Sequence, residues 1–110
     1  MSARFEIVMA EEGQFLFNYI NGQGDTLMTS CEFESQDSAE RAIKDVRVGS
    51  LMSNQIAKGE TREGDRFFVI KNSIGEVLVK SVLFDNEMHF NNALYQVKDN
   101  ACIADIAYAC

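Results

Sequence analysis

No apolar run in the chain approaches the ~20 residues that a membrane-spanning helix needs, so no helical span is expected. A basic stripe is missing as well. Seventeen acidic side chains face ten basic ones, for a net charge of −7, with −5 carried by residues 1–50 and −2 by residues 51–110. Proteins that hold nucleic acid displace counterions with clustered Lys and Arg. The densest basic group here, Lys58, Arg62 and Arg66, is interrupted by Glu60, Glu63 and Asp65. It reads as a solvated strand or turn edge, and nucleic acid is not expected as a partner. The opening Met1-Ser2-Ala3-Arg4-Phe5-Glu6 has neither a basic leader nor an apolar signal core, which points to a cytoplasmic protein.

Groups for catalysis or metal binding are equally scarce. Cys31, Cys102 and Cys110 form no C-x-x-C pair, and no histidine stands at metal-ligand spacing from them. Three reduced thiols follow, with Cys31 a small buried or half-buried apolar residue and Cys110 a frayed, exposed end. The alternative is a Cys102–Cys110 bridge. Glu11-Glu12 and Glu32 with Glu34 lack the D-x-D-x-D-G frame of a calcium loop. Gly22-Gln23-Gly24 lacks the spacing of both phosphate-binding glycine motifs and reads as a turn. The single histidine, His89, has no oriented partner in its spacing and reads as a surface or half-buried residue. No metal, cofactor or catalytic residue is assigned.

What is present suits one soluble domain. The 110 residues are 46% hydrophobic and 25% charged, with eight Phe and three Tyr but no Pro. Sliding the chain against itself by 51 positions yields, between Glu12/Glu63 and Val46/Val97, ten identities without a gap. They run from Glu12-Gly13 on Glu63-Gly64 through Phe17/Phe68, Asn21/Asn72, Gly24/Gly75, Leu27/Leu78, Ser30/Ser81 and Phe33/Phe84 to Ala42/Ala93 and Val46/Val97. Two copies of one unit are expected, about 4–50 and 55–101.

Each copy reads as three strands and a helix. Phe5 to Val8 alternates as a first strand, and Gln14 to Ile20 follows as a second with Phe15, Phe17 and Tyr19 on one face. After the glycine turn, Asp25 to Phe33 makes a third strand. Ser35 or Asp37 then caps a helix, Asp37-x-x-Glu40 resembling a capping box, with Ala39, Ala42, Ile43 and Val46 as its apolar stripe. In the second copy Arg66 to Lys71 and Glu76 to Leu83 form the hairpin. A helix beginning after Asp85 or Asn86 carries Phe90, Ala93, Leu94 and Val97. Phe15, Phe17, Phe67 and Phe68 are expected in the core. A terminal strand, about 102–108, is expected at an edge. The predicted class is α+β, with one shared antiparallel sheet and both helices packed on one face.

The order Phe15-x-Phe17, Gly24-Asp25, Leu27-Met28-Thr29-Ser30, Phe33-x-Ser35 and Ala39-Glu40-x-x-Ile43-x-x-Val46 resembles the YegP-like family. That family consists of units of about 50 residues, in tandem or as dimerising single units, and its function is unknown. The resemblance implies a shared sheet with exchanged terminal strands and no catalytic residues. Gln23, Cys31-Glu32 and Ala42 depart from its pattern in the first copy, as do Lys80 and Asp85-Asn86 in the second.

The outward face of the first helix is charged, with Glu40, Arg41, Lys44 and Asp45, whereas the second offers Asn91, Asn92, Tyr95 and Gln96. An amide-and-aromatic face suits a protein contact, and these four residues are the candidate interaction surface. The functional expectation is a non-enzymatic protein-interaction or binding module for an unidentified protein partner. One alternative is an acidic mimic of nucleic acid that occupies a basic partner; another is a small-ligand or catalytic domain at a pocket lined by His89 or Cys31. A monomer, or a weak homodimer, is expected because the two units are already joined.

Overall fold

Hydrophobic alternation builds most of the sheet. In the computed structural model, which describes residues 2–109, β1 (Arg4–Met9), β2 (Phe15–Ile20) and β3 (Thr26–Ser30) precede helix α1 (Gln36–Gly49). Then come β4 (Ile56–Glu60), β5 (Arg66–Lys71), β6 (Val77–Ser81), helix α2 (Glu87–Asn100) and β7 (Asp105–Tyr108). All seven strands join one sheet in the order β4-β5-β6-β3-β2-β1-β7. Phe5, Ile7, Phe17, Met28, Phe68 and Ile70 are fully buried on one face, and the stripes of both helices close over them in a single core. Alternation sends Glu6, Leu16, Asn18, Thr29, Phe67, Val69 and Lys80 to the other face, where Thr29 and Lys80 are exposed and the rest half-buried.

The sheet is mixed, which corrects the all-antiparallel expectation. β7 runs parallel to β1, Phe5 opposite Ile106 and Ile7 opposite Tyr108. Parallel neighbours need a crossover; α2 begins it, and the 3-10 turn Ala101–Ile103, which touches both helices, delivers the chain to β7. The terminal strand is therefore shorter than the expected 102–108. The third strand also stops early, at Ser30, and Phe33 returns only as an isolated bridge to Phe15.

Strand registers in the two halves coincide at the 51-residue offset. Phe5 faces Tyr19 and Ile7 faces Phe17, as Ile56 faces Ile70 and Lys58 faces Phe68. Between β2 and β3 the register slips at Tyr19/Ile20, and between β5 and β6 at Ile70/Lys71. Each slip is a bulge that leaves Leu27 or Leu78 as the extra residue, and both are buried. At the middle, Thr29 pairs with Lys80. Ser30 Oγ accepts from the Phe17 N–H and donates to the Cys31 carbonyl; Ser81 Oγ does the same between Phe68 and Val82.

Aromatic volume is redistributed between the halves. In the first, Phe5 of β1 meets Phe17 edge-on while Phe17 stacks with Phe33. In the second, β4 offers only Ile56 there, and the edge-on ring comes from Phe90 of α2 against Phe68 and Phe84. The Ala39-to-Phe90 difference thus compensates the Phe5-to-Ile56 difference. Phe67 is not a core residue as expected. Its ring lies on the other sheet face, across Gly59, with the Lys80 ammonium 4.6 Å from its centre.

Both helices begin on a side-chain cap. Ser35 accepts from the Ser38 N–H, so the Asp37–Glu40 capping box is not used. Asn86 accepts from the His89 N–H. Cys31, expected to be at least half-buried, is exposed just beyond β3, where the chain turns away after Ser30. Cys110 and its bridge to Cys102 lie outside the described residues.

Candidate functional site

α2 presents two of the four expected residues, Asn92 and Tyr95, on its outward side. Asn92 is exposed, Tyr95 is 64% exposed, and Met88, one and two turns before them, is 71% exposed. Asn91 and Gln96 are half-buried at the flanks of this stripe. The structure therefore does not gather the four into one patch. Asn92 and Tyr95 face solvent with Met88, whereas Gln96 turns toward β2, where its Oε1 accepts from Asn21 Nδ2 at 3.3 Å.

Gln96 is one wall of a cleft of about 490 Å³ between the end of α2, the β2–β3 turn and the start of β7. Asn100 adds an amide and Asp105 a carboxylate, while Ser2 and Gln23 complete a mostly polar lining. The turn is held by Asn21, whose Oδ1 accepts from the N–H groups of Gln23 and Asp25. Gly24 takes the positive φ of +89° that this turn requires. Tyr19 lies at the base, 1% exposed, and its hydroxyl has no hydrogen-bond partner. Burial, with the negative charge available to Cys102 second, pushes its phenol up to about 12. The amide pattern of α2 was legible in the sequence, but Tyr19 was not. Its counterpart 51 residues on is Ile70, so the repeat marked the position as core and hid the hydroxyl.

A second cleft, about 310 Å³, opens at the other end of the sheet between β4, the start of β5 and α2. Lys58, Gly59, Glu60 and Arg66 rim it and Phe90 floors it. Arg66 is 3.6 Å from Glu87. The basic group singled out in the sequence is thus split, with Lys58 and Arg66 beside the cleft and Arg62 in the β4–β5 connection.

His89 sits in the first turn of α2, its side chain 64% exposed. Its Nδ1 is 3.2 Å from Asn86 Nδ2 and 3.6 Å from Asp85. The hydroxyls of Ser30 and Ser81 are occupied in bonding the sheet, so neither faces His89 as a nucleophile would. Among the described residues no group of three His, Cys, Asp or Glu side chains is placed to hold a metal ion. No helix there is long and apolar enough to cross a membrane.

No family model matches the chain. Individual proteins do. It is 30% identical over 98 residues to a UPF0339 protein of Pseudomonas aeruginosa, covering 89% of each chain. It is 27% identical over 100 residues to the UPF0339 protein YegP of Escherichia coli, covering 91% of each. The solution structure of a UPF0339 protein from Shewanella oneidensis superposes with a TM-score of 0.92 at 21% identity, covering 98% of this chain and 92% of that one. That of E. coli YegP, described as a protein of unknown function, superposes at 0.90 with 25% identity, covering 99% and 94%.

Proposed function

The chain belongs to the UPF0339 family, and we propose that it works as a non-enzymatic protein-interaction module whose contact face is the outer stripe of α2. The observation that carries this reading is the exposure of Met88 and Tyr95 one above the other beside uncharged Asn92. Solvated helices usually direct charge outward, as α1 does with Arg41, Lys44 and Asp45. Aromatic and Met side chains with few charges are the composition of an interface centre. We read the chain as two β-β-β-α units, about 4–50 and 55–101, and the coinciding registers and bulges support this. β7 follows the second unit and lies beside the first strand of the first, which supports an exchanged terminal strand. The proposal includes a monomer in the cytoplasm, in keeping with the free thiols of Cys31 and Cys102.

A photo-crosslinking side chain in place of Tyr95, with Lys44 at the same helical position of α1 as control, tests the contact in lysate of the native host. One partner captured at Tyr95 but not at Lys44, and lost in the Met88→Lys variant, supports the reading. Equal labelling at both positions, or none, refutes it. The unpartnered Tyr19 hydroxyl at the base of the 490 Å³ cleft favours a second reading, a small neutral or cationic molecule held by amides and Asp105. A thermal-shift screen of such compounds, repeated on Tyr19→Phe, tests it.

A further inference from the structure

The two ends of the sheet are finished differently. At one, β1 is covered by β7, whose Ile106 stands opposite Phe5 and whose Tyr108 stands opposite Ile7. The Ala109 N–H donates to the Ile7 carbonyl, and the Tyr108 hydroxyl donates to Glu40 of α1 at 2.7 Å. At the other end β4 is last in the sheet. Its Ile56 and Lys58 hold the registers on β5 that Phe5 and Ile7 hold on β2. Among the described residues nothing takes the place beside β4 that β7 takes beside β1, and the cleft over Phe90 opens there.

We infer that the outer edge of β4 is a seat for an extended segment of a partner protein, running parallel to β4, with an aliphatic side chain opposite Ile56 and an acidic one opposite Lys58. The inference rests on the two-unit reading and deepens the interaction-module proposal by giving it a second contact of defined chemistry. Main-chain pairing at a sheet edge supplies affinity, and alternate side-chain positions supply selectivity. The expected side chains follow from what changes between the halves. Ile7 becomes Lys58, and Glu40, which receives the Tyr108 hydroxyl, becomes Asn91. An ammonium and an amide in place of an alkyl group and a carboxylate favour a carboxylate over a phenol. Lys58 is in no ion pair among the described residues. Of the two cations on the cleft rim, Arg66 already meets Glu87 at 3.6 Å, which leaves the Lys58 ammonium to receive an incoming carboxylate.

The test uses amide chemical shifts of the full-length, isotope-labelled protein. The probes are a capped synthetic peptide of residues 103–109, Ile-Ala-Asp-Ile-Ala-Tyr-Ala, and the same peptide carrying Tyr108→Glu. The acidic peptide is expected to shift residues 56–60 and the Asn91 side chain. The Lys58→Glu protein should bind it about tenfold more weakly, while Lys44→Glu leaves binding unchanged. A spin label on the peptide's C-terminus should broaden Glu60 rather than Ile56, as parallel pairing requires. No shift at 56–60, a label that broadens Ile56, or indifference to Lys58→Glu overturns the inference. Equal or tighter binding of the Tyr108 peptide would assign the seat to a second copy of this chain and overturn the acidic partner. Because crosslinking at Tyr95 reads a different surface, its failure would leave these shifts intact, and the two proposals fail separately.

Discussion

Tyr19 offers the sharpest test of the core, because its hydroxyl is buried without a partner. In the unfolded chain a phenol ionises near pH 10, whereas in the folded protein burial, and secondarily Cys102, holds it at about 12. Between these values the unfolded state sheds a proton that the folded state keeps. Stability is therefore whole below pH 10 and falls as pH rises through the folded value. At ~1.4 kcal/mol per pH unit, the loss from this one group is about 2 kcal/mol at about pH 11.5. Replacing Tyr19 by Phe removes both the titration and an unsatisfied hydroxyl. At about pH 8 the variant should be between equal in stability and ~1 kcal/mol more stable. Its advantage over the parent should then widen by about 2 kcal/mol at about pH 11.5. Urea unfolding of both proteins at matched pH, under reducing conditions, measures this, and subtraction cancels every group that the two share. Tyr108 does not confound it, since the phenol raised by its hydrogen bond to Glu40 is exposed and present in both. A difference that stays constant with pH, or a variant more than ~1 kcal/mol less stable at about pH 8, would refute the reasoning.

Two further outcomes follow from packing. Phe17→Ala and Phe68→Ala each remove a ring with no exposed surface and should each cost ~3–5 kcal/mol in chemical denaturation; a loss below ~1 kcal/mol at both would contradict a core spanning both halves. Gly59→Ala places a methyl group into the Phe67 ring and should cost ~1–3 kcal/mol by overpacking. Gly59→Ala combined with Phe67→Leu should recover most of that loss, and failure to recover it would show that something other than the ring excludes a side chain there.

The parts of the fold legible in the sequence were those that the chain states twice. Ser30 and Ser81, Asn21 and Asn72, and the Phe33/Phe84 bridges each recur at 51 residues because the same backbone group needs the same side chain in both halves. β4 was hard to place because Lys58-Gly59-Glu60 has neither alternation nor β-branched residues; pairing with Phe67 and Phe68 makes it a strand, an instance of tertiary context overriding propensity. The direction of β7 could not be read from four residues, since it depends on the route of α2 and its turn across the core. The candidate surface was half legible for a related reason. Helical spacing placed Asn92 and Tyr95 outward, but only the docking of α2 beside the Asn21 turn separates Gln96 from them.

The residues that spoil β4 as a strand also bear on what it can receive. An exposed edge invites indiscriminate pairing, and proteins deter it with short strands and lysine. β4 has five residues with Lys58 at the centre, so an apolar strand arriving there must leave an ammonium beside its own apolar side chain. A strand with a carboxylate at that position meets the same ammonium as a partner, so one residue both penalises the wrong occupant and favours the right one. Gly59 adds no side chain to this short edge, and the Phe67 ring fills the space beside it. On β1 neither device is needed, because β7 already pairs along Arg4 to Ile7. The chemical difference between Ile7 and Lys58, at equivalent places in the sheet, is thus the difference between an edge closed by its own chain and one left selective.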